Sequence, residues 1–167
     1  MELWGGSLGG AVLDAKGALG SDVVVFACGK TAESKMARSQ SIIDQRDKQF
    51  SPYVTALQVG TSVFFANTDN IRHHVYSFSP AKKFELPLYS GIPAQPITFD
   101  RTGFVTLGFN IHDWMIAYVA VLPTPYFQVT REAGRSLLKD LSAGEYTIAI
   151  WHPLLKGAPE KYSQQVT

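Results

Sequence analysis

The chain has 167 residues, of which 46% are hydrophobic and 17% are charged. This composition predicts a globular protein, in one domain or two small ones, and excludes a disordered chain. The net charge of +1 gives no indication of nucleic-acid binding, and the longest apolar runs are far shorter than the ~20 residues that a membrane helix needs.

Cys28 is the only cysteine, so the sequence predicts neither an intrachain disulfide nor a cysteine-rich zinc site. The first ten residues lack the charged head and apolar core of a signal peptide. That beginning is compatible with a cytosolic protein or with the mature form of an exported one.

The N-terminal half contains several short apolar runs separated by turn residues. Two runs within Gly10–Cys28 flank an Asp-Ala-Lys-Gly turn, which predicts a β-hairpin. The polar segment Thr31–Gln40 predicts a linker or a short helix. Strands are predicted at Val54–Val59 and Ser62–Ala66, with a Gly-Thr turn between them.

Further strands are predicted along the rest of the chain, with one loop rich in proline. The strands are His73–Phe78, Ile97–Phe99, Phe104–Leu107, Ile116–Leu122, Phe127–Thr130, Ser136–Leu141 and Tyr146–Trp151. The density of proline between Pro80 and Pro96 argues there against a helix and against a central strand. Short strands at such regular spacing are typical of a Greek-key β-sandwich. The P-loop, GxGxxG, GxSxG and HExxH motifs are absent, so the sequence does not predict an enzyme.

Side chains that can bind metals concentrate in two segments at predicted strand ends, Asn67–Tyr76 and Gly108–Met115. The first contains His73 and the second contains His112, with a methionine three residues later. Imidazole and thioether together are typical of a copper site. Taken singly, each histidine is more simply explained as a hydrogen-bonded structural residue, and Met115 as a core residue.

The same segments carry a family resemblance. The runs His-His-Val-Tyr-Ser-Phe-Ser at 73–79 and Asn-Ile-His-Asp-Trp-Met at 110–115 closely resemble the plastocyanin-like proteins often labelled methylamine utilization proteins. The likeness continues through Phe84–Leu86, Thr124–Phe127 and Leu141–Tyr146 and covers nearly the whole chain. It implies a cupredoxin-like Greek-key β-sandwich, a periplasmic or extracellular location and a type 1 copper site.

One ligand of that implied copper site is missing. The resemblance places the histidine ligands at His73 and His112 and the axial thioether at Met115, with His74 as a possible substitute for the first histidine. The position of the cysteine ligand is Phe109. A blue-copper site needs a thiolate, and phenylalanine has no lone pair to donate, so we predict a degenerate site.

Three functions are compatible with such a site. The first is a weak, non-blue copper site at His73, His112 and Met115, in a copper-binding or electron-transfer protein. The second is a metal-free fold in which both histidines are structural beside the Phe109 ring. The third is an enzyme with an open two-histidine metal site next to Asp113, which we favour least.

We favour the second of these functions. It predicts a non-catalytic binding or assembly component that works with a protein partner and holds no cofactor. Copper in a weak site is the alternative.

The flanking segments resemble a different kind of domain. The pattern Gly-x-Val-x-Asp-x-x-Gly near the start and Asp-Leu-x-Ala-Gly-Glu-Tyr near the end are marks of a transthyretin-like or carboxypeptidase-regulatory-like β-domain. We therefore predict that residues 1–38 and 124–167 pair with each other and that a cupredoxin-like domain, 39–123, is inserted between them. Alternatively, both segments extend the cupredoxin sheets.

An apolar stretch lies within the proline-rich loop. Its members are Phe84, Leu86, Leu88 and Tyr89. The stretch is expected either to form an exposed patch that binds a partner or to fold back over the core.

Overall fold

The computed structural model of the protein describes residues 6–18, 20–29, 36–109 and 114–167. Within these ranges the chain forms fifteen β-strands and one turn of 3-10 helix, which confirms the predicted all-β class. The strands are β1 (Gly6–Ala11), β2 (Val24–Gly29), β3 (Gln40–Arg46), β4 (Gln49–Ser51), β5 (Val54–Gln58), β6 (Ser62–Asn67), β7 (His73–Ser77), β8 (Phe84–Tyr89), β9 (Ile97–Thr98), β10 (Gly103–Phe109), β11 (Ala117–Leu122), β12 (Phe127–Val129), β13 (Arg135–Leu141), β14 (Tyr146–Trp151) and β15 (Ser163–Val166). Among the described residues, no helix is long and apolar enough to cross a membrane.

The chain divides into two compact units. The central unit is Lys35–Pro123, and the terminal unit combines Met1–Ser34 with Thr124–Thr167.

The described residues of the central unit form two β-sheets. One has the strand order β4-β3-β6-β9 and the other β5-β11-β10-β7-β8. Strand β3 runs parallel to β6 and β5 runs parallel to β11, whereas the other pairs are antiparallel. A hydrophobic cluster takes side chains from both sheets, among them Ile43 and Phe65 from the first and Val75, Leu107 and Val119 from the second. The two sheets therefore face each other as a β-sandwich with mixed strand directions.

Strand β7 shows how the sandwich directs its side chains. His73, Val75 and Ser77 are buried, whereas His74 and Tyr76 between them are only partly buried. Because side chains alternate along a strand, the first three point into the sandwich and the other two point to its outer face. The two adjacent histidines are thus directed to opposite sides of the sheet.

The sequence pattern does not predict strand β3. It pairs with β6 from Gln40, opposite Ser62, to Gln45, opposite Asn67. The strand has only two apolar residues, and its inward position at Gln45 is polar although fully buried. A polar residue in a core position conceals the alternation that would otherwise indicate a strand. Residues 31–35, half of the linker predicted for 31–40, lie outside the described residues, and 36–39 form neither strand nor helix.

The prediction of a loop throughout the proline-rich segment is wrong. The segment contains β8. This strand lies at the edge of its sheet, and its register with β7 shifts between His73 and Val75. Pro87 has no N–H to donate, and an irregular edge strand is where a sheet tolerates such a residue. Phe84, Leu86 and Tyr89 pack against the core, as in the folded-back alternative, whereas Leu88 is exposed.

The turn between β5 and β6 depends on a glycine. Gly60 has a φ of +95°, and a Cβ added there would lie 2.6 Å from the Ala37 carbonyl oxygen. We expect Gly60→Ala to lower the free energy of unfolding by about 2–4 kcal/mol, from backbone strain and from this contact. Urea denaturation measures the change.

A variant of a second glycine distinguishes the effect of backbone strain from the effect of the contact with Ala37. Gly91 has a φ of +76° but open space around its Cβ position. Gly91→Ala should therefore cost only the backbone term, about 1 kcal/mol. Equal losses in the two variants would show that the contact with Ala37 is unimportant.

In the terminal unit, strands from the two ends of the chain pair with each other. Strand β1 pairs with β13, and β2 lies between β12 and β14, with β15 on the far side of β14. A hydrophobic cluster that includes Val25, Leu138 and Ile148 packs in this unit.

The hairpin predicted within Gly10–Cys28 is only partly correct. The turn forms, and Asp14 Oδ1 accepts hydrogen bonds from the backbone N–H groups of Lys16 and Ala18. However, β1 and β2 pair with other strands and belong to different sheets. Val24–Ala27 is a continuous buried run, which suits a central strand with neighbours on both sides.

Candidate functional site

His73 is the centre of a buried polar site in the central unit. It begins β7, and its side chain is 0% exposed. Its Nδ1 lies 3.2 Å from Oε1 of Gln45, on β3. Its Nε2 lies 3.4 Å from Oδ2 of Asp69, in the loop between β6 and β7. Both ring nitrogens therefore face oxygen acceptors of the protein.

The orientation of Gln45 determines which atom carries the proton. Gln45 Nε2 donates to the Ala66 carbonyl oxygen at 3.1 Å and to Tyr89 Oη at 2.6 Å. Tyr89 Oη donates in turn to the Phe65 carbonyl oxygen at 2.7 Å. Gln45 Oε1, which can only accept, is left facing His73, so Nδ1 of the imidazole is the donor.

Tyr89 is held in its protonated, donating form. Burial raises the pKa of its hydroxyl to about 12, an effect that the hydrogen bond from Gln45 opposes only in part. The hydrogen bonds thus run in one direction, from His73 through Gln45 and Tyr89 to the backbone of β6.

Asp69 is fixed by the turn between β3 and β4. The backbone N–H groups of Asp47 and Lys48 donate to its two carboxylate oxygens at 2.7 and 2.9 Å. Both donors have positive φ angles, +52° and +57°, which shape the turn. We call the four side chains Gln45, Asp69, His73 and Tyr89 the His73 network. It connects β3, β7, β8 and the loop before β7.

Phe109 occupies the position that the family resemblance assigns to a cysteine ligand. It is the last residue of β10, opposite Val75 on β7, and it is 2% exposed. Its ring centroid lies 4.6 Å from that of His73, with the planes at 66°. An aromatic ring thus packs edge-on against the imidazole where a thiolate would have to donate.

The other expected ligands are only partly described. Met115 is 2% exposed and belongs to the core cluster of the central unit, in keeping with a core-filling role. His112 and Asp113 lie outside the described residues, so the predicted grouping of His73, His112 and Met115 stays a prediction. In the part of the chain that is described, histidine, cysteine, aspartate and glutamate side chains do not gather in threes around a possible metal position.

The described residues do not fit a type 1 copper centre. A metal ion at Nδ1 of His73 would need a lone pair there, but Nδ1 carries the proton that bonds Gln45, and Nε2 lies 3.4 Å from Oδ2 of Asp69. Phe109 supplies no sulfur. Cys28 lies on β2 in the terminal unit, and burial raises the pKa of its thiol, which disfavours the thiolate that binds copper.

His74 does not share a site with His73. Strand alternation turns it to the outer face of the sheet, where its Nε2 lies 2.9 Å from Oε1 of Glu85. As a substitute ligand it would be on the wrong side of β7 from Phe109 and Met115, which are both in the core.

Three members of the His73 network were not identified from the sequence. Asp69 was the easiest to find, because it stands four residues before His73 within the segment Asn67–Tyr76. Gln45 lies on the missed strand β3, and Tyr89 lies in the segment predicted as a loop. The sequence separations from His73 to Gln45 and from Gln45 to Tyr89 are 28 and 44 residues, and neither carries a local pattern.

Three solved structures illustrate what the chain is similar to. One is a copper-containing nitrite reductase from Thermus scotoductus SA-01, with 21% identity and a TM-score of 0.47; the match covers 55% of this chain and only 26% of the reductase. A purple cupredoxin from Nitrosopumilus maritimus has 21% identity and a TM-score of 0.44, covering 49% of this chain and 99% of the cupredoxin. A reduced Cu(I) form of an amicyanin variant has 18% identity and a TM-score of 0.45, covering 57% of this chain and 98% of amicyanin. Neither a family model nor a curated protein matches the sequence.

Proposed function

We propose that this chain is a cupredoxin-like protein with a degenerate metal site and that it serves as a non-catalytic binding or assembly component. The observation that carries the proposal is the His73 network, in which both imidazole nitrogens face protein oxygens. The mixed-direction sandwich of the central unit and the His-His-Val-Tyr-Ser-Phe-Ser motif support the cupredoxin-like assignment.

In this proposal His73 is structural. Its ring connects β7 to β3 through Gln45 and to the loop before β7 through Asp69, and Phe109 packs against its side. These contacts use the functional groups that a copper ion would use. A cupredoxin-like fold that holds no metal can still bind a protein partner through the surfaces of its sandwich.

The wider organisation follows from the same resemblance. We propose a cupredoxin-like domain, 39–123, inserted in a small transthyretin-like domain built from 1–38 and 124–167. The pairing of β1 with β13 and of β2 with β14 supports a domain made from both ends of the chain. A periplasmic or extracellular location is part of the proposal and rests on the resemblance alone.

Copper titration tests the proposal directly. We expect equimolar Cu(II) added to the purified protein to give no stoichiometric site in electron paramagnetic resonance, because Nδ1 of the buried His73 carries the proton bonded to Gln45 and Nε2 faces the Asp69 carboxylate. Metal analysis of the protein as purified should likewise find substoichiometric copper.

Three variants make the titration decisive. His112→Ala and Met115→Leu remove the other two proposed ligands, and His152→Ala removes a histidine of the terminal unit. The metal-free proposal would be overturned if the parent protein bound one equivalent of Cu(II), if His112→Ala and Met115→Leu lost this binding, and if His152→Ala retained it. It would establish the alternative, a copper-binding protein that uses His73, His112 and Met115.

A further inference from the structure

One edge of strand β1, in the terminal unit, is open. In the described residues β1 pairs only with β13, and their sheet has two strands, whereas the sheet that faces it has four. Val12 N–H donates to the Gly134 carbonyl oxygen, next to β13, at 2.8 Å. Along an antiparallel pair the residues alternate between bonding the partner and facing away from it, so the N–H and C=O groups of Gly9 and Ala11 point away from β13.

The opposite edge of the same sheet is capped. Leu137 N–H, on the far side of β13, donates to Gln128 Oε1 of β12 at 2.6 Å. No strand or side chain among the described residues bonds to the outward groups of Gly9 and Ala11, and both residues are exposed. β1 also carries neither a charge nor a proline, which are usual protections of an exposed edge and of which β8 has Pro87. The edge of β1 is therefore available for pairing.

A cavity of about 440 Å³ lies beside this edge, within the terminal unit. The floor of the cavity is apolar and comes from both sheets, with Val25, Leu138, Ile148 and Ile150. Every residue of the chain from 8 to 13 lines the cavity. Successive side chains of a strand point to opposite faces, so a cavity that touches all of them runs along the edge of β1.

The other wall of the cavity is formed by residues 161–164, at the start of β15. The bond from Leu137 to Gln128 places β13 over β12, so β1 lies on the side of β15. The cavity thus occupies the position that a further strand would take beside β1. Its charged lining residue is Lys161, and the rest of the described lining is apolar or uncharged.

From this geometry we propose that an extended segment of a partner protein adds to β1 as an antiparallel strand and fills the cavity with alternate apolar side chains. The proposal rests on the proposed function as a binding component and specifies the partner for it. The segment exchanges backbone hydrogen bonds with Gly9 and Ala11, and every second side chain points to the apolar floor. An acidic residue at one end of the segment complements Lys161.

A second copy of this chain fits the position less well. Two β1 strands can pair through their open edges, but the inward positions of β1 are Leu8, Gly10 and Val12. Leu8 and Val12 already pack against the hydrophobic cluster of their own unit. Gly10 has no side chain, and a Cβ added there would meet open space. A paired β1 would therefore leave the cavity largely empty, whereas larger apolar side chains of another segment would fill it.

Fluorescence anisotropy tests the proposal with the labelled peptide acetyl-Glu-Val-Thr-Val-Thr-Val-Thr-amide. We expect saturable binding at micromolar to millimolar protein concentration and slower hydrogen exchange at the amides of Gly9 and Ala11. Gly9→Pro removes an outward N–H but no bond to β13, so it should weaken binding about tenfold. Gly9→Ala is the matched control. It keeps the N–H, its Cβ would lie 3.5 Å from Leu137 Cδ1, an ordinary contact, and it should bind as the parent does.

Two N-methylated peptides test the register on the parent protein, without any change to its fold. Residues opposite Gly9 and Ala11 in an antiparallel pair lie on the same face as those two, so the threonines and not the valines donate to β1. Methylation of the threonine nitrogens should abolish binding, and methylation of the valine nitrogens should preserve it. Equal affinities of the two methylated peptides would contradict the proposal.

Other outcomes would also overturn it. These are no binding of the unmethylated peptide, unchanged binding by a folded Gly9→Pro variant, and selective binding of dodecanoate, which would assign the cavity to a small amphiphile. A dimer of the parent protein in sedimentation that Gly9→Pro abolishes would assign the edge to a second copy. Copper titration at His73 does not involve β1, so a negative peptide result leaves the degenerate metal site of the proposed function standing.

Discussion

Gln45→Met is expected to lower the free energy of unfolding by about 3 kcal/mol, although methionine has nearly the same volume. The amide makes three contacts in a fully buried position, accepting from His73 and donating to Tyr89 and to the Ala66 carbonyl. A buried polar group that loses its partner costs about 1–3 kcal/mol. Thioether sulfur replaces none of these hydrogen bonds effectively.

Urea denaturation measures this loss, and hydrogen exchange locates it. Amide protons of β3 and β6 should exchange faster in Gln45→Met than in the parent protein. The matched control is Gln40→Met, which makes the same change at an exposed position of the same strand. It should alter stability by less than about 0.5 kcal/mol. Similar effects of the two variants would show that the His73 network contributes little to stability.

Phe109→Cys is expected to have two effects. Loss of a buried ring should destabilise the central unit by about 3–5 kcal/mol. The variant should also bind copper with strong visible absorption, because the new thiolate would lie beside His73, whose ring is 4.6 Å from that of Phe109. Copper binds the thiolate, so uptake should release the proton of the introduced thiol.

Phe109→Ser is the control for the second effect. It leaves a cavity of nearly the same size but supplies no sulfur, so it should be destabilised to a similar extent and stay colourless with copper. A colourless Phe109→Cys protein that remains folded would mean that Phe109 does not correspond to the cysteine ligand position. The absorption spectrum and a urea titration of both variants, with and without copper, are the measurements required.

Much of the fold could be predicted from local pattern. Strands β5, β6, β7, β10 and β11 follow from apolar residues bounded by glycine, proline and polar turns, and the structure confirms them within a few residues. The prediction that the two flanking segments pair rested on the small number of strands in each. Strands β3 and β8 could not be recognised in this way. The first has a glutamine at a core position, and the second contains a proline that only an edge strand accommodates.

The candidate site, like the fold, could be predicted from the sequence only in part. The sequence by itself predicted that His73 begins a β-strand, and the family resemblance placed Phe109 where a sulfur ligand is expected. Only the tertiary structure decided what His73 contacts, because the parallel pairing of β3 with β6 brings Gln45 to it across 28 residues of sequence. Hydrogen bonds between distant strands depend on register and burial, and neither leaves a mark in the spacing of residues along the chain.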